Sequence, residues 1–130
     1  HPSPEVSTAI GPDGSIYIGD SSGALHAFLP DGRFNWRTDL KAGAIVSTAA
    51  IDPEGAVYVY AASEVLCALN RNGHVEWKTR LPQRMTYAEG GRATRQPVIN
   101  AEKNICFRVL DEGGRICVIG PDGGVLKSPW

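Results

Sequence analysis

The chain has 130 residues, 42% of them hydrophobic, with 13 Lys and Arg against 14 Asp and Glu for a formal net charge of −1. That is the size and composition of one ordinary folded domain, which excludes a disordered or low-complexity segment. No continuous apolar run approaches the roughly 20 residues that a membrane-spanning helix needs.

The first residues, "HPSPEV", have neither the basic start nor the apolar stretch of a secretory signal and no initiating Met, as expected of a processed chain or one cut from a longer protein. From there on, short β-branched or aromatic clusters alternate with Gly, Asp, Asn and Pro: Ile16-Tyr17-Ile18, Leu25 to Leu29, Val57 to Tyr60 and Leu66 to Leu69. Such a pattern reads as strands joined by tight turns, with no helical periodicity. The pairs Asp13-Gly14, Asp31-Gly32, Asn72-Gly73 and Asp122-Gly123 mark chain reversals, because these residues tolerate the positive φ that hairpin turns demand.

The stretch "GSIYIGDSSGALHAFLPDGRFNW" (14–36) returns as "GAVYVYAASEVLCALNRNGHVEW" (55–77) at an offset of 41 residues. Ser7-Thr8-Ala9 aligns with Ser47-Thr48-Ala49, Ile16-Tyr17-Ile18 with Val57-Tyr58-Val59, Ala27 with Ala68, and Trp36 with Trp77. A third copy follows after a longer connection, with Ile105-Cys106-Phe107 and Ile116 to Ile119 in the corresponding places. A period near 40 with four short strands per unit is the signature of a β-propeller blade. The expected strands are inner ones at 6–10, 47–51 and 97–100 and second ones at 15–19, 56–60 and 105–109. Third strands are expected at 24–29, 65–70 and 115–120, and outer ones at 33–38, 74–79 and 124–128. The fold class is therefore all-β: three four-stranded antiparallel blades at about 5–44, 45–81 and 96–130, with an insertion at 82–95. The second strands are apolar at successive positions because neighbouring blades cover both faces of a blade.

The segment "IYIGDSSGALHAFLPDGRFNW" resembles the pyrroloquinoline-quinone-type propeller repeat, in which a "VYVGS-x-DG-x-LYALD" hairpin precedes a Gly-containing turn and an outer-strand tryptophan. The resemblance implies that Trp36 and Trp77 dock one blade against the next, with Gly32 and Gly73 at the preceding turns and Ala27 and Ala68 near the indoles. The third copy departs from it, with Lys127 at the tryptophan position and Trp130 three places late, and the "LPDGR" turn is one residue shorter than the family's. Quinone-dependent dehydrogenases, a propeller lipoprotein that scaffolds outer-membrane protein assembly, and sensor modules share this repeat, so it implies an extracytoplasmic setting without implying a cofactor. The dehydrogenases of the family use a full ring of blades, a carboxylate base, calcium ligands and a vicinal disulfide, and no adjacent cysteines occur here.

Nothing nominates a nucleophile, a catalytic base, a metal or a cofactor. His1, His26 and His74 are dispersed, and His26 shares its place in the blade with Cys67 and Cys117, which reads as a drifting packing position. Cys106 and Cys117 lie on neighbouring strands of one hairpin and read as buried thiols in preference to a disulfide. Asp13, Asp31, Asp52, Glu54 and Asp122 sit beside Pro or Gly in turns, with no D-x-D-x-D-G calcium loop, phosphate loop or G-x-S-x-G elbow.

Residues 79–97, "TRLPQRMTYAEGGRATRQP", lengthen the second connection by about ten residues, and insertions into a repeat array map to loops on one face, where binding residues collect. Arg84, Met85, Tyr87, Arg92 and Arg95 are the candidate partner-binding residues. Residues 1–70 hold eight acids against three Lys and Arg, whereas 71–95 hold six Lys and Arg against two acids. A slightly negative whole chain with no aromatics interleaved among the basic residues argues against nucleic acid. The band suits a protein or a head-to-tail contact with another copy.

Three blades do not close a ring, and terminal blades expose apolar faces. The expected function is a non-enzymatic scaffold or binding module that completes a ring with another chain or a second copy, a dimer giving six blades being favoured. The rival is a sensor or a quinone-dependent dehydrogenase fragment, with a small molecule on the ring axis held by inner-strand ends and the 79–97 insertion.

Overall fold

In the computed structural model, residues 7–45, 49–61, 65–80, 98–108 and 116–127 are described. They form three four-stranded antiparallel sheets and no helix. Blade 1 contains β1 (Ser7–Ile10), β2 (Ile16–Gly19), β3 (Ala24–Phe28) and β4 (Phe34–Asp39). Blade 2 contains β5 (Ala50–Ile51), β6 (Val57–Ala61), β7 (Val65–Leu69) and β8 (Val75–Arg80). Blade 3 contains β9 (Val98–Ile99), β10 (Ile105–Arg108), β11 (Ile116–Ile119) and β12 (Val125–Lys127). Each sheet pairs its strands in chain order as an up-and-down meander. The expected strands lie within a few residues of the observed ones; the inner strands of blades 2 and 3 are only two residues long, and Ala49 alone separates β5 from 46–48, which lie outside the described residues.

One five-residue turn recurs throughout. In Gly11–Ser15, Asp20–Ala24, Leu29–Arg33, Asp52–Ala56, Asn70–His74, Asn100–Asn104 and Gly120–Gly124, the first residue's N–H donates to the fifth residue's carbonyl, and the fourth residue's N–H donates to the first's carbonyl. The fourth residue has positive φ, which is why Gly fills it nearly everywhere; Lys103, at φ 64°, is the exception. An Asp or Asn side chain at the first or third position fixes each turn. Asp52 Oδ1 accepts from the N–H groups of Glu54 and Ala56 at 2.9 Å, and Asp31 Oδ1 from Arg33 N–H at 3.0 Å. A register shift also recurs at one place in every blade, between Ala27/Phe28, Ala68/Leu69 and Val118/Ile119, bending the third strand against the outer one.

The core lies between blades. One cluster joins Ala9, Tyr17, Leu25 and Ala27 of blade 1 to Val57, Val59, Cys67 and Leu69 of blade 2. A second joins Tyr58, Tyr60, Leu66 and Ala68 of blade 2 to Ile105, Cys117 and Ile119 of blade 3. Every residue of β6 is buried, as its unbroken apolar run requires when both faces are covered.

The connection after β4 is fixed at several points. Leu40 N–H donates to Gly23 O, Ile45 N–H donates to Asp20 O, and Ile45 forms an isolated bridge to Ala61 of blade 2. Leu40 is fully buried, and its carbonyl accepts from Lys78 Nζ of blade 2.

Candidate docking site between blades

Each junction has a donor strand and an acceptor turn. Trp36 stands opposite Ala27 in the register of β3 and β4, a small neighbour that leaves the indole room to lean out of its own sheet. Its Nε1–H donates to the Arg71 carbonyl at 3.0 Å, and two residues on, Thr38 Oγ1–H donates to the Gly73 carbonyl at 2.6 Å. Both acceptors belong to the β7–β8 turn of blade 2. A Cβ on Gly73 would stand 2.5 Å from Trp36 Cδ2, so the absence of a side chain there is what lets the indole lie on the turn.

The next junction repeats these contacts. Trp77, opposite Ala68, donates to the Pro121 carbonyl at 2.8 Å, and Thr79 donates to the Gly123 carbonyl at 2.5 Å. A Gly123 Cβ would meet Trp77 Cδ2 at 2.8 Å. Tyr17 and Tyr58 each pack a tilted ring on the tryptophan of their own blade, at centroid distances of 6.0 Å.

Trp36 thus meets Gly73, and Trp77 meets Gly123; neither rests on the turn preceding it in sequence. Gly32 lies at the opposite side of blade 1, and nothing comes within 4 Å of the place its Cβ would occupy. Sequence reasoning missed Thr38, Thr79 and Gly123, although the signal was present in the repeated Trp-x-Thr and the third Asp-Gly. Arg84, Met85, Tyr87, Arg92 and Arg95 lie outside the described residues; the segment carrying them leaves β8 at Arg80, whose register partner is Val65.

The remaining polar groups belong mainly to the turns. Asp52 is buried, with Tyr58 Oη 3.4 Å from its Oδ2, and burial together with this carboxylate pushes the Tyr58 hydroxyl up to about 12. Burial also pushes the Cys67 and Cys117 thiols up to about 11, and all three cysteines are free. Cys106 and Cys117 occupy successive register positions, opposite Val118 and Phe107.

Pro12, Asp13, Pro53, Glu54, Gly55 and Arg71 line an open groove of about 540 Å³ between the turns of blades 1 and 2. Lys103 pairs with Glu54 beside it. Among the described residues no group of His, Cys, Asp and Glu is arranged to hold a metal ion, and no helix is long and apolar enough to cross a membrane.

A family model described as outer membrane protein assembly factor BamB matches residues 2–128. The chain belongs to this BamB family. Three solved structures show the same propeller fold. BamB from Moraxella catarrhalis superposes with a TM-score of 0.69 at 22% identity, over 94% of this chain and 36% of that one. A streptogramin B lyase gives 0.69 at 16%, over 94% and 39%. A quinohemoprotein alcohol dehydrogenase from Pseudomonas putida HK5 gives 0.62 at 16%, over 93% and 20%. The BamB-like chain therefore spans well under half the length of each of these propellers and constitutes part of one. No curated protein matches it by sequence.

Proposed function

We propose that this BamB-family chain is a non-enzymatic scaffold, a protein-binding module whose blades complete a propeller ring with another chain. The observation that carries this is the side of blade 1 turned away from blade 2. There Ile10, Ile16, Ile18 and Phe28 occupy the register positions at which blade 2 has Ile51, Val57, Val59 and Leu69. Val57, Val59 and Leu69 are wholly buried against blade 1, whereas their counterparts Ile16, Ile18 and Phe28 are half-buried and Ile10 is 62% exposed, and an apolar sheet face of this kind marks a contact surface. The family's role in outer membrane protein assembly is of the same class. Arg84, Met85, Tyr87, Arg92 and Arg95 would supply further protein contacts from the insertion.

The rival is a ring-axis ligand, considered because a quinohemoprotein alcohol dehydrogenase shares the fold. Titration with pyrroloquinoline quinone, with and without calcium, followed by quinone absorbance and thermal midpoint, separates the two. The expected result is no saturable uptake. Saturation at micromolar quinone would overturn the non-enzymatic reading.

A further inference from the structure

Asn72-Gly73 is the one Asn-Gly pair in the sequence, and it lies in the β7–β8 turn. Asparagine is chemically labile, and most so before glycine, because the following backbone nitrogen can reach the side-chain amide with no side chain in its way. Asn70 already caps this turn. Its Oδ1 accepts from Asn72 N–H at 2.8 Å and from His74 N–H at 3.1 Å, so the exposed Asn72 side-chain amide is not needed to close it.

Five sister turns carry an acid at the same third position: Glu54 and Glu102 behind the caps Asp52 and Asn100, and Asp13, Asp31 and Asp122 as caps themselves. A carboxylate at position 72 is therefore a shape and charge that this kind of turn accepts.

The folded protein holds the attacking group back. Gly73 is buried, its N–H donates to the Asn70 carbonyl at 3.0 Å, and its carbonyl accepts from Thr38 Oγ1–H at 2.6 Å. Attack requires the Gly73 nitrogen to leave that hydrogen bond and swing toward Asn72 Cγ. With Trp36 so close that a Gly73 Cβ would stand 2.5 Å from its ring, the turn has no room to move until blade 1 lifts away.

We infer that Asn72 is a deamidation site whose rate is set by opening of the junction between blades 1 and 2. The Gly73 nitrogen forms a bond to Asn72 Cγ and gives its proton to solvent, the Cγ–Nδ2 bond breaks, and ammonia leaves a five-membered succinimide. Water then opens the ring. Addition at Cγ yields an aspartate, whereas addition at the former backbone carbonyl yields an isoaspartate, whose main chain runs through Cβ and Cγ. The aspartate fits as the acids of the sister turns do. The isoaspartate lengthens the turn, draws the Gly73 carbonyl away from Thr38 and no longer seats Trp36, so a transient opening becomes permanent. The inference is independent of the scaffold reading.

The test is incubation at mildly alkaline pH, with peptide mass mapping and isoaspartyl-methyltransferase labelling over time. Deamidation should occur first at Asn72, at least about tenfold faster in denaturant than in the native protein. It should be about fivefold faster in native Thr38→Val, which lacks the hydroxyl that holds Gly73. Equal rates in native and denatured wild type would overturn the gating, and that comparison decides the question if Thr38→Val does not fold. Modification of Asn35, Asn70, Asn100 or Asn104 ahead of Asn72 would overturn the site. Asn72→Asp should keep the wild-type thermal midpoint within about 3 °C, while the isoaspartate form should melt at least about 5 °C lower. An isoaspartate form melting with the wild type would overturn the permanent opening.

Discussion

The Asp20 carboxylate accepts from Ser22 N–H at 3.0 Å, Ser22 Oγ–H at 2.7 Å and Ala24 N–H at 3.0 Å, and its second oxygen lies 2.7 Å from His26 Nε2. Burial pushes its carboxyl up, but the bonds from His26, Ser22 and Ala24 outweigh that and hold it well below its ordinary value of 3.8. Because the folded-state value lies below the unfolded one, the stabilisation is complete above about pH 4 and is lost as pH falls through the folded value. Asp20→Asn should therefore lower the thermal midpoint at pH 7, and the gap to wild type should close on acidification below about pH 4; a pH-independent gap would show that shape, and not charge, matters there. The cysteines give a second prediction at this scale. With burial pushing their thiols up to about 11, Cys67 and Cys117 should resist a thiol-specific reagent at pH 8 in the native protein and react only in denaturant. Rapid native labelling of either would contradict the burial described. The turn acids were legible in the sequence as turn residues. Their division into first-position and third-position caps was not, because a dipeptide such as Asp13-Gly14 does not reveal which N–H its carboxylate will meet.

Two glycines in the same kind of turn separate docking from backbone conformation. Gly32 and Gly73 share a φ near +90°, so Ala at either position carries the left-handed penalty of about 1 kcal/mol. Only at Gly73 would the new methyl also collide with an indole. Gly73→Ala should thus be more destabilising than Gly32→Ala by about 1–3 kcal/mol, measured by denaturant unfolding. Equal losses would mean that the Trp36 contact contributes nothing. Trp36→Ala and Trp77→Ala should each destabilise by about 3 kcal/mol, since both indoles are half-buried and hydrogen-bonded. A loss below about 1 kcal/mol would make them surface residues. The tryptophans themselves stand out in the sequence because they recur with Ala27 and Ala68 at a fixed offset. Their acceptors stand out only as Asn-Gly and Asp-Gly turns, because the contact spans 35 residues from Trp36 to Arg71 and 44 from Trp77 to Pro121, and a turn dipeptide does not record which indole lies on it.

Three stacked sheets form a one-dimensional array in which the middle unit has two neighbours and the outer units have one. Amide hydrogen exchange should accordingly be slowest in Val57–Ala61 and Val65–Leu69, where nearly every residue is buried, and faster in β2 and β11, where burial alternates. Uniform protection across the three blades would indicate that the side of blade 1 turned away from blade 2 is already covered in solution. The number of blades and their strand order were legible from the period and the Gly-punctuated clusters, since a blade is specified by local pairing. The direction of docking was not, because it depends on which turn lies above which indole across a blade boundary. That direction gives the array polarity: each inner junction sets an indole of one blade on a turn of the next, and in blade 3 a lysine, Lys127, stands at the register position of those indoles. A cation there carries its charge to the surface on a flexible stem instead of laying a flat ring on a neighbouring turn, so Lys127→Ala should change the thermal midpoint far less than Trp36→Ala.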